Sequence, residues 1–176
     1  IKMTQSSVLV PYKVVVFGGS GFLGSHVADA LTDAGHEVVI YDLKPSLYLK
    51  NSQQMIVGDI LDQDKVKKAI EGCDVVYNFA GIADIEDASQ RPLDSVKYNI
   101  LGNSIILEES RMAKVKRFVF ASSLYVYSKA GSFYRSTKQS CELLVENYQE
   151  IFGLSYTILR YGSLYGPRAD ERNFIY

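Results

Sequence analysis

The chain has 176 residues, which is enough for one domain with a sizeable core but short for two. Its hydrophobic content of 47% and charged content of 22% are ordinary for a soluble globular protein, and a formal net charge of −1 gives no reason to expect nucleic acid or an anionic membrane as a partner. No apolar run approaches the roughly 20 residues of a membrane-spanning helix, and residues 1–10 have no signal-peptide pattern. Cys73 and Cys141 lack metal-ligand spacing, so we expect reduced thiols, no metal site and a cytoplasmic location.

Apolar segments of strand length alternate along the chain with amphipathic segments of helix length. The predicted strands are Lys13–Phe17, Glu37–Tyr41, Gln54–Val57, Val75–Asn78, Arg117–Ala121 and Ser155–Arg160. The predicted helices are Phe22–Ala34, Asp62–Ile70, Pro92–Met112 and Tyr134–Phe152. Because the strand segments are nearly continuous apolar runs, we expect both faces of a parallel sheet to be covered. The repeated βαβ order predicts an α/β Rossmann fold, a doubly wound parallel sheet of six strands in the order 3-2-1-4-5-6, in residues 13–176, with residues 1–12 as an N-terminal extension.

A glycine-rich turn follows the first predicted strand and precedes the first predicted helix. Gly18, Gly21 and Gly24 form G-x-x-G-x-x-G, while Gly19, Gly21 and Gly24 also satisfy G-x-G-x-x-G. Glycine permits the sharp turn, the close approach of backbone to a pyrophosphate and the tight packing of helix on strand. The free N–H groups of the helix start favour phosphate charge. In this context the turn predicts a dinucleotide site, although the alternative of a purely structural turn exists.

An acidic residue closes the second predicted strand, 18 residues after the last glycine of the turn. Asp42 is placed to accept hydrogen bonds from the adenosine ribose hydroxyls, and its charge would repel a 2′-phosphate. The turn carries no Arg or Lys at Ser20, Phe22 or Leu23. The pattern therefore favours NAD over NADP, while Lys44 leaves NADP open.

A second aspartate follows the third predicted strand. We expect Asp59 to meet the adenine amino group while Ile60 packs on the adenine ring. The alternative for Asp59 is a turn or helix-capping aspartate, which is common at such positions.

A serine, a tyrosine and a lysine provide candidate catalytic groups. Ser123 lies just past the fifth predicted strand, and Tyr134 and Lys138, at i and i+4, share a face of the next helix. A lysine ammonium near a phenol lowers a pKa that starts near ~10. Tyr134 would then take a proton from a sugar or alcohol hydroxyl as hydride leaves for a nicotinamide, a role worth roughly 10²–10⁴ in rate. Ser123 would orient the reacting oxygen, and Lys138 would also hold the nicotinamide ribose.

The chain resembles the extended short-chain dehydrogenases/reductases, specifically the NAD-dependent epimerase/dehydratase group that acts on nucleotide sugars. The resemblance runs from about Lys13 to Arg168 and rests on segments that occur in the family's order: Phe17–Gly24, Gly58–Ile60, Asn78–Gly81, Tyr98–Gly102, Ser122–Tyr127, Tyr134–Lys138 and Leu159–Arg168. It implies NAD as cofactor, a nucleotide sugar as substrate and a homodimer formed through helices 92–112 and 134–152.

The resemblance also implies roles for individual residues. The implied cofactor contacts are Gly18, Gly21, Phe22, Leu23 and Gly24 in the turn, Phe79, Ala80 and Gly81 after the fourth strand, and Tyr161 near the nicotinamide. Asn99 is implied to belong to the cofactor-binding set as well, where it supports the active-site side of the long helix.

At two positions the sequence departs from the family, and both departures argue against dehydration and decarboxylation. Leu124 and Tyr125 stand where relatives that dehydrate or decarboxylate carry acids, and elimination needs such a second acid or base. We therefore expect a nucleotide-sugar 4-epimerase, with a keto-sugar or carbonyl reductase as one alternative. A non-catalytic dinucleotide sensor is another, although such a protein needs neither Tyr134 nor Lys138.

Other features leave the substrate open. Only ten residues separate Ser123 from Tyr134, and Ser163 stands where sugar-nucleotide epimerases place a substrate-binding Asn. The C-terminal substrate lobe of the family is absent from this sequence, so we expect a fragment of a longer protein rather than a natural short form. We interpret His26 and His36 as packing or surface residues, and the acids after Gly81 as a solvated loop.

Overall fold

Within residues 10–169, which the computed structural model describes, the chain forms one six-stranded sheet in which every neighbouring pair is parallel. The strands are β1 Lys13–Phe17, β2 Glu37–Asp42, β3 Gln54–Val57, β4 Val75–Asn78, β5 Arg117–Ser123 and β6 Tyr156–Tyr161. Their order, β3-β2-β1-β4-β5-β6, confirms the predicted Rossmann topology. The predicted extension, residues 1–12, lies mostly outside the described residues, as do residues 170–176.

The described helices lie between these strands. They are α1 Phe22–Asp33, α2 Gln63–Ile70, α3 Ile85–Gln90, α4 Pro92–Ser95, α5 Gly102–Met112 and α6 Ser132–Phe152. A π-helical turn, Val96–Leu101, joins α4 to α5, and a 3₁₀ turn, Leu124–Tyr127, follows β5. Asp62, the first residue of the predicted second helix, is the cap of α2, since its side chain accepts a hydrogen bond from the Lys65 backbone N–H. Among the helices within residues 10–169, none is long and apolar enough to cross a membrane.

Several elements begin or end one or two residues from their predicted bounds, and four differences from the sequence-based expectation concern the site. The predicted helix 92–112 is divided into α4, the π-helical turn and α5. The acids after Gly81 are not all in a loop, because Asp84 caps the short helix α3 by accepting from the Asp87 backbone N–H. Helix α6 begins at Ser132 instead of Tyr134, after Gly131 in the left-handed conformation. Strand β5 continues to Ser123 because its pairing with β6 extends that far, so this serine lies in the strand and not past it.

Hydrophobic side chains fill both faces of the central strands. Helices α2, α5 and α6 pack on one face, where Phe17 and Tyr41 are fully buried with ring centroids 4.8 Å apart. Helix α1 packs on the other, against Val14, Val16 and their neighbours. Burying one such side chain contributes about 1.5–3 kcal/mol. This core holds the carboxyl ends of β1, β2, β4, β5 and β6 as the fixed edge on which the site is built.

Candidate active site

A cleft of about 1450 Å³ runs along the carboxyl edge of the sheet. It is larger than the roughly 300–1,000 Å³ of most ligand pockets, so it has room for a dinucleotide and a second ligand. All three predicted catalytic residues line it. So do all the predicted cofactor-binding residues except Asp59 and Asn99. The switch point of an open α/β sheet is where such folds bind their ligands.

The glycine turn is shaped by close backbone contacts. Gly18 has a φ of +75°, and a Cβ there would lie 2.7 Å from the Ala80 backbone nitrogen. A Cβ on Gly24 would lie 2.1 Å from the Gly18 carbonyl oxygen. The residue before α1, Gly21, provides no side-chain cap. The first N–H groups of α1 thus keep hydrogen-bonding capacity at the cleft, and this geometry fits the pyrophosphate of NAD.

The Asp42 carboxylate lies at the end of β2 and lines the same cleft. It accepts hydrogen bonds from the backbone N–H groups of Ser20, at 3.0 Å, and Lys44, at 3.3 Å. An ionised carboxylate has about four acceptor sites, so two remain for the hydroxyls of a ribose. The arrangement fits the predicted NAD preference.

Asp42→Asn is therefore expected to weaken NAD binding by about 10- to 100-fold, since hydrogen bonds to a charged group contribute about 1.5–3 kcal/mol. The discrimination against NADP should fall at the same time, because the repelling charge is lost. Calorimetric titration with both dinucleotides measures this. The exposed Asp64→Asn serves as the control for the same change of charge. Equal NAD affinity in the two variants would count against the assignment of Asp42.

The two residues after β3 have different surroundings. Asp59 does not line the cleft; its carboxylate accepts from the Leu61 backbone N–H at 2.9 Å, and its carbonyl accepts from the Tyr41 hydroxyl. This is the turn arrangement that the sequence left as an alternative, and its contact with adenine stays a prediction. Ile60 is 6% exposed and does line the cleft.

The segment after β4 is fixed by a buried asparagine that the sequence analysis did not select. Asn78 donates to the Asn103 side chain at 2.8 Å and accepts from the Ala80 backbone N–H at 3.0 Å. These bonds hold Phe79, Ala80 and Gly81 along the cleft, where the dinucleotide is expected to pass. The sequence signal that could have identified Asn78 is a polar residue at the end of an otherwise apolar strand.

Asn99 lies in the π-helical turn and is 4% exposed. Its side chain accepts from the Ile82 backbone N–H at 2.7 Å and donates to Thr137 of α6 at 3.0 Å. The Asn99 side-chain oxygen also leaves no room for a side chain at Gly81, because a Cβ there would approach it to 2.5 Å. Asn99 thus joins the loop after β4 to the helix that carries Tyr134, and it does so from behind the cleft.

The three candidate catalytic groups meet at the other end of the cleft. Ser123 is the last residue of β5, and Tyr134 and Lys138 lie in the first turns of α6. The Lys138 ammonium donates to the Ala121 carbonyl at 2.7 Å and lies 5.7 Å from the centroid of the Tyr134 ring. Tyr161, on β6, stands opposite Ser123 in the strand register.

The electrostatics of this group differ in part from the expectation. Burial raises the pKa of Tyr134, and a hydrogen bond from Ser123 opposes that increase. Burial also lowers the pKa of Lys138 to about 8, against the attraction of Cys141 and Glu142. The expected lowering of the phenol pKa is therefore not what these side chains alone produce, because desolvation outweighs the nearby polar groups.

The chain after β6 crosses back over the cleft to α1. In this crossing segment, residues 162–169, Gly162, Ser163 and Leu164 line the cleft. His26 is hydrogen bonded to the Pro167 carbonyl at 2.7 Å, and Arg168 donates to Asp29 at 2.7 Å. From the sequence, His26 was expected to be a packing or surface residue. The ion pair of Arg168 with Asp29 was not predicted, because its partners are far apart along the chain.

The sheet order, the glycine turn with its acid and the Ser–Tyr–Lys group together define a dinucleotide-binding protein of the short-chain dehydrogenase/reductase class. The sequence matches the model of the NAD-dependent epimerase/dehydratase family over residues 14–175. The chain therefore belongs to that family, and NAD is the cofactor.

Individual relatives agree with this assignment. The UDP-N-acetyl-alpha-D-glucosaminuronate decarboxylase of Bacillus cytotoxicus is 30% identical over 90% of this chain and 56% of its own. The UDP-glucose 4-epimerase of Thermotoga maritima, solved with UDP-glucose, has a TM-score of 0.85 at 29% identity, with 90% of this chain and 58% of its own covered. The corresponding enzyme of Thermus thermophilus, solved with NAD, has a TM-score of 0.83 at 27% identity, with coverages of 92% and 58%. The chain thus spans between 56% and 58% of these proteins.

Proposed function

We propose that this chain is the NAD-binding part of a nucleotide-sugar 4-epimerase that acts on UDP-sugars. The observation that carries the proposal is the group of Ser123, Tyr134 and Lys138 at the cleft, beside a 3₁₀ turn without a carboxylate. The named activities of the relatives, which are UDP-sugar epimerases and a decarboxylase, supply the substrate class.

NAD, when bound, supplies a nicotinamide that accepts hydride from the sugar carbon and returns it. The glycine turn would hold its pyrophosphate and Asp42 its adenosine ribose. Tyr134 takes the proton of the sugar hydroxyl and later gives it back, while Ser123 donates a hydrogen bond to the reacting oxygen. Lys138 is placed to bind the nicotinamide ribose, and its ammonium would favour the phenolate against the burial that raises the pKa of Tyr134.

Epimerisation is preferred over decarboxylation because of the residues beside the catalytic serine. Leu124 and Tyr125 line the cleft where elimination or decarboxylation would need a further acid or base. The Tyr125 ring packs edge-on against Tyr134, with centroids 6.4 Å apart, so this position holds an aromatic wall. Hydride removal and return need no additional ionisable group there.

The proposal is tested by incubating the protein with substoichiometric NAD and UDP-glucose or UDP-galactose. We expect the two sugars to interconvert, as measured by chromatography, with no net formation of reduced cofactor. Net formation of one reduced nicotinamide per oxidised sugar, with turnover stopping when the added NAD is used up, would instead establish a reductase working in its oxidative direction. NAD binding without conversion of any UDP-sugar by the full-length protein would favour the dinucleotide sensor.

A homodimer through residues 92–112 and 134–152 is also part of the proposal. Both segments expose large apolar side chains, although scattered apolar residues also occur on monomers. These are Leu93, Val96, Leu101, Met112, Leu143, Ile151 and Phe152.

Leu143→Glu is expected to convert the dimer to a monomer, because it places a charge among apolar groups at the interface. Analytical ultracentrifugation measures the mass. Leu47→Glu, at a 90% exposed loop position, is the control and should remain dimeric. A monomeric wild type, or a dimeric Leu143→Glu, would contradict this interface.

We further propose a cytoplasmic location. Cys73 and Cys141 are unpaired and buried, and burial raises their thiol pKa values to about 11 and about 12. Such thiols are unreactive and need no oxidising compartment.

A further inference from the structure

A buried carboxylate behind the cleft joins three elements of the candidate site. Glu142 on α6 has a side chain that is 10% exposed. It accepts from the Ser122 hydroxyl at 2.5 Å and from Nε and Nη2 of Arg160 at 3.0 and 2.8 Å. Arg160 in turn donates to the Tyr127 hydroxyl of the 3₁₀ turn. One side chain therefore fixes β5, β6 and the 3₁₀ turn to α6.

Each partner in this network is adjacent to a residue of the site. Ser122 precedes Ser123 on β5, and it stands opposite Arg160 in the register with β6. Glu142 lies four residues after Lys138, which is one turn along the same helix. A shift of the Glu142 carboxylate would therefore move Ser123 through its neighbour Ser122. It would move Lys138 through one turn of α6.

The charge of Glu142 also acts on the lysine. Burial dominates the pKa of Lys138 and lowers it, and Cys141 and Glu142 oppose this from α6. Tyr134 lies one turn earlier on α6, and β5 contributes the Phe120 ring and the Ala121 carbonyl. Burial is the largest single influence on the pKa of Glu142 and would raise it, but Arg160, Ser122 and Lys138 together outweigh burial and lower it. Glu142 is therefore ionised and favours the ammonium form of Lys138.

We propose that Glu142 is a positioning residue for the reaction: through its bonds to Ser122 and Arg160 and the helix that it shares with Lys138, it holds the catalytic serine and lysine in their mutual geometry. The inference rests on the proposed function for its catalytic consequence, but not for its effect on Lys138. Glu142 itself does not line the cleft, so it acts through other residues.

Glu142→Gln tests the catalytic consequence, because it keeps the shape and an acceptor oxygen but removes the charge. We expect kcat to fall by about 10- to 100-fold, as for small displacements of catalytic groups. The KM for the UDP-sugar and the affinity for NAD should stay close to wild type, since neither binding surface changes. Glu150→Gln, two turns further along the exposed side of α6, is the matched control and should leave kcat unchanged.

An NMR titration of isotope-labelled lysine in the NAD-free protein gives an independent readout. The Lys138 signal is identified by its loss in Lys138→Arg. We expect its pKa to be lower in Glu142→Gln than in wild type and unchanged in Glu150→Gln. If the wild type converts no UDP-sugar, the proposed function fails, while this titration still decides the role of Glu142.

A folded Glu142→Gln with wild-type kcat and a wild-type Lys138 titration would overturn the proposal. If that variant does not fold, Glu142→Asp decides, because it keeps the charge and shortens the side chain by one methylene. It should retain the Lys138 titration and lose kcat. Unchanged kcat in a folded Glu142→Asp would overturn the positioning role.

Discussion

Tyr134→Phe is expected to lower kcat by about 10²–10⁴-fold, the contribution of a positioned acid–base group. The phenylalanine keeps the ring that packs against Tyr125 and Lys138, so only the hydroxyl is lost. Without it, the proton of the sugar hydroxyl has no acceptor in the cleft at the position that Ser123 and Lys138 surround. NAD affinity should be unchanged because the turn and Asp42 are untouched.

The measurement is a comparison of single-turnover rates, followed by the absorbance of the reduced nicotinamide, with NAD binding determined on the same samples. Tyr12→Phe provides the control, since this residue precedes β1 at the opposite end of the sheet. A Tyr134→Phe variant with wild-type rates would assign the proton transfer to a different group and would favour the sensor over the enzyme.

Gly24→Ala is expected to abolish measurable NAD binding and to destabilise the fold. The added Cβ would lie 2.1 Å from the Gly18 carbonyl oxygen and 3.0 Å from the Gly19 Cα, which are backbone atoms that cannot rotate away. Relief requires that α1 move from β1 or that the turn change its path. Either movement displaces the N–H groups that would bind the pyrophosphate.

Gly153→Ala is the matched control for this substitution. Its φ is +72°, so alanine is strained there, but a Cβ would contact no atom within 4 Å. Placing alanine in the left-handed conformation costs roughly 1–2 kcal/mol through the backbone alone. Thermal unfolding and NAD titration of both variants separate the two effects. Gly24→Ala with wild-type NAD affinity would contradict the assigned role of the turn.

The sequence predicted the sheet, its strand order and most of the cleft because these depend on local patterns. Apolar runs separated by amphipathic helices define βαβ units, and their right-handed connections leave few possible topologies. Tyr134 and Lys138 are four residues apart, so one helix turn places them on the same face of α6. The carboxyl ends of parallel strands share an edge, which is why Asp42 and Ser123 line the same cleft.

The features that the sequence did not predict depend on contacts between distant segments. In the sequence, nothing distinguishes Glu142 and Arg160 from other charged residues. Their ion pair forms because the pairing of β6 with β5 brings Arg160 next to α6. The ion pair of Asp29 with Arg168 joins residues that are far apart along the chain. The lowered pKa of Lys138 results from burial, which no local motif encodes. Asp59 had two interpretations, and only the hydrogen bond from Leu61 shows its turn geometry.

Under the proposed function, the cleft performs a reversible hydride transfer at a sugar carbon with NAD. UDP-glucose that carries deuterium at C4 tests it most directly, when it is incubated with the NAD-loaded protein in ordinary water. We expect UDP-galactose to form with the deuterium retained at C4, and Tyr134→Phe to suppress its formation. Loss of the deuterium to solvent would show that the carbon is deprotonated instead, and would contradict hydride transfer to NAD.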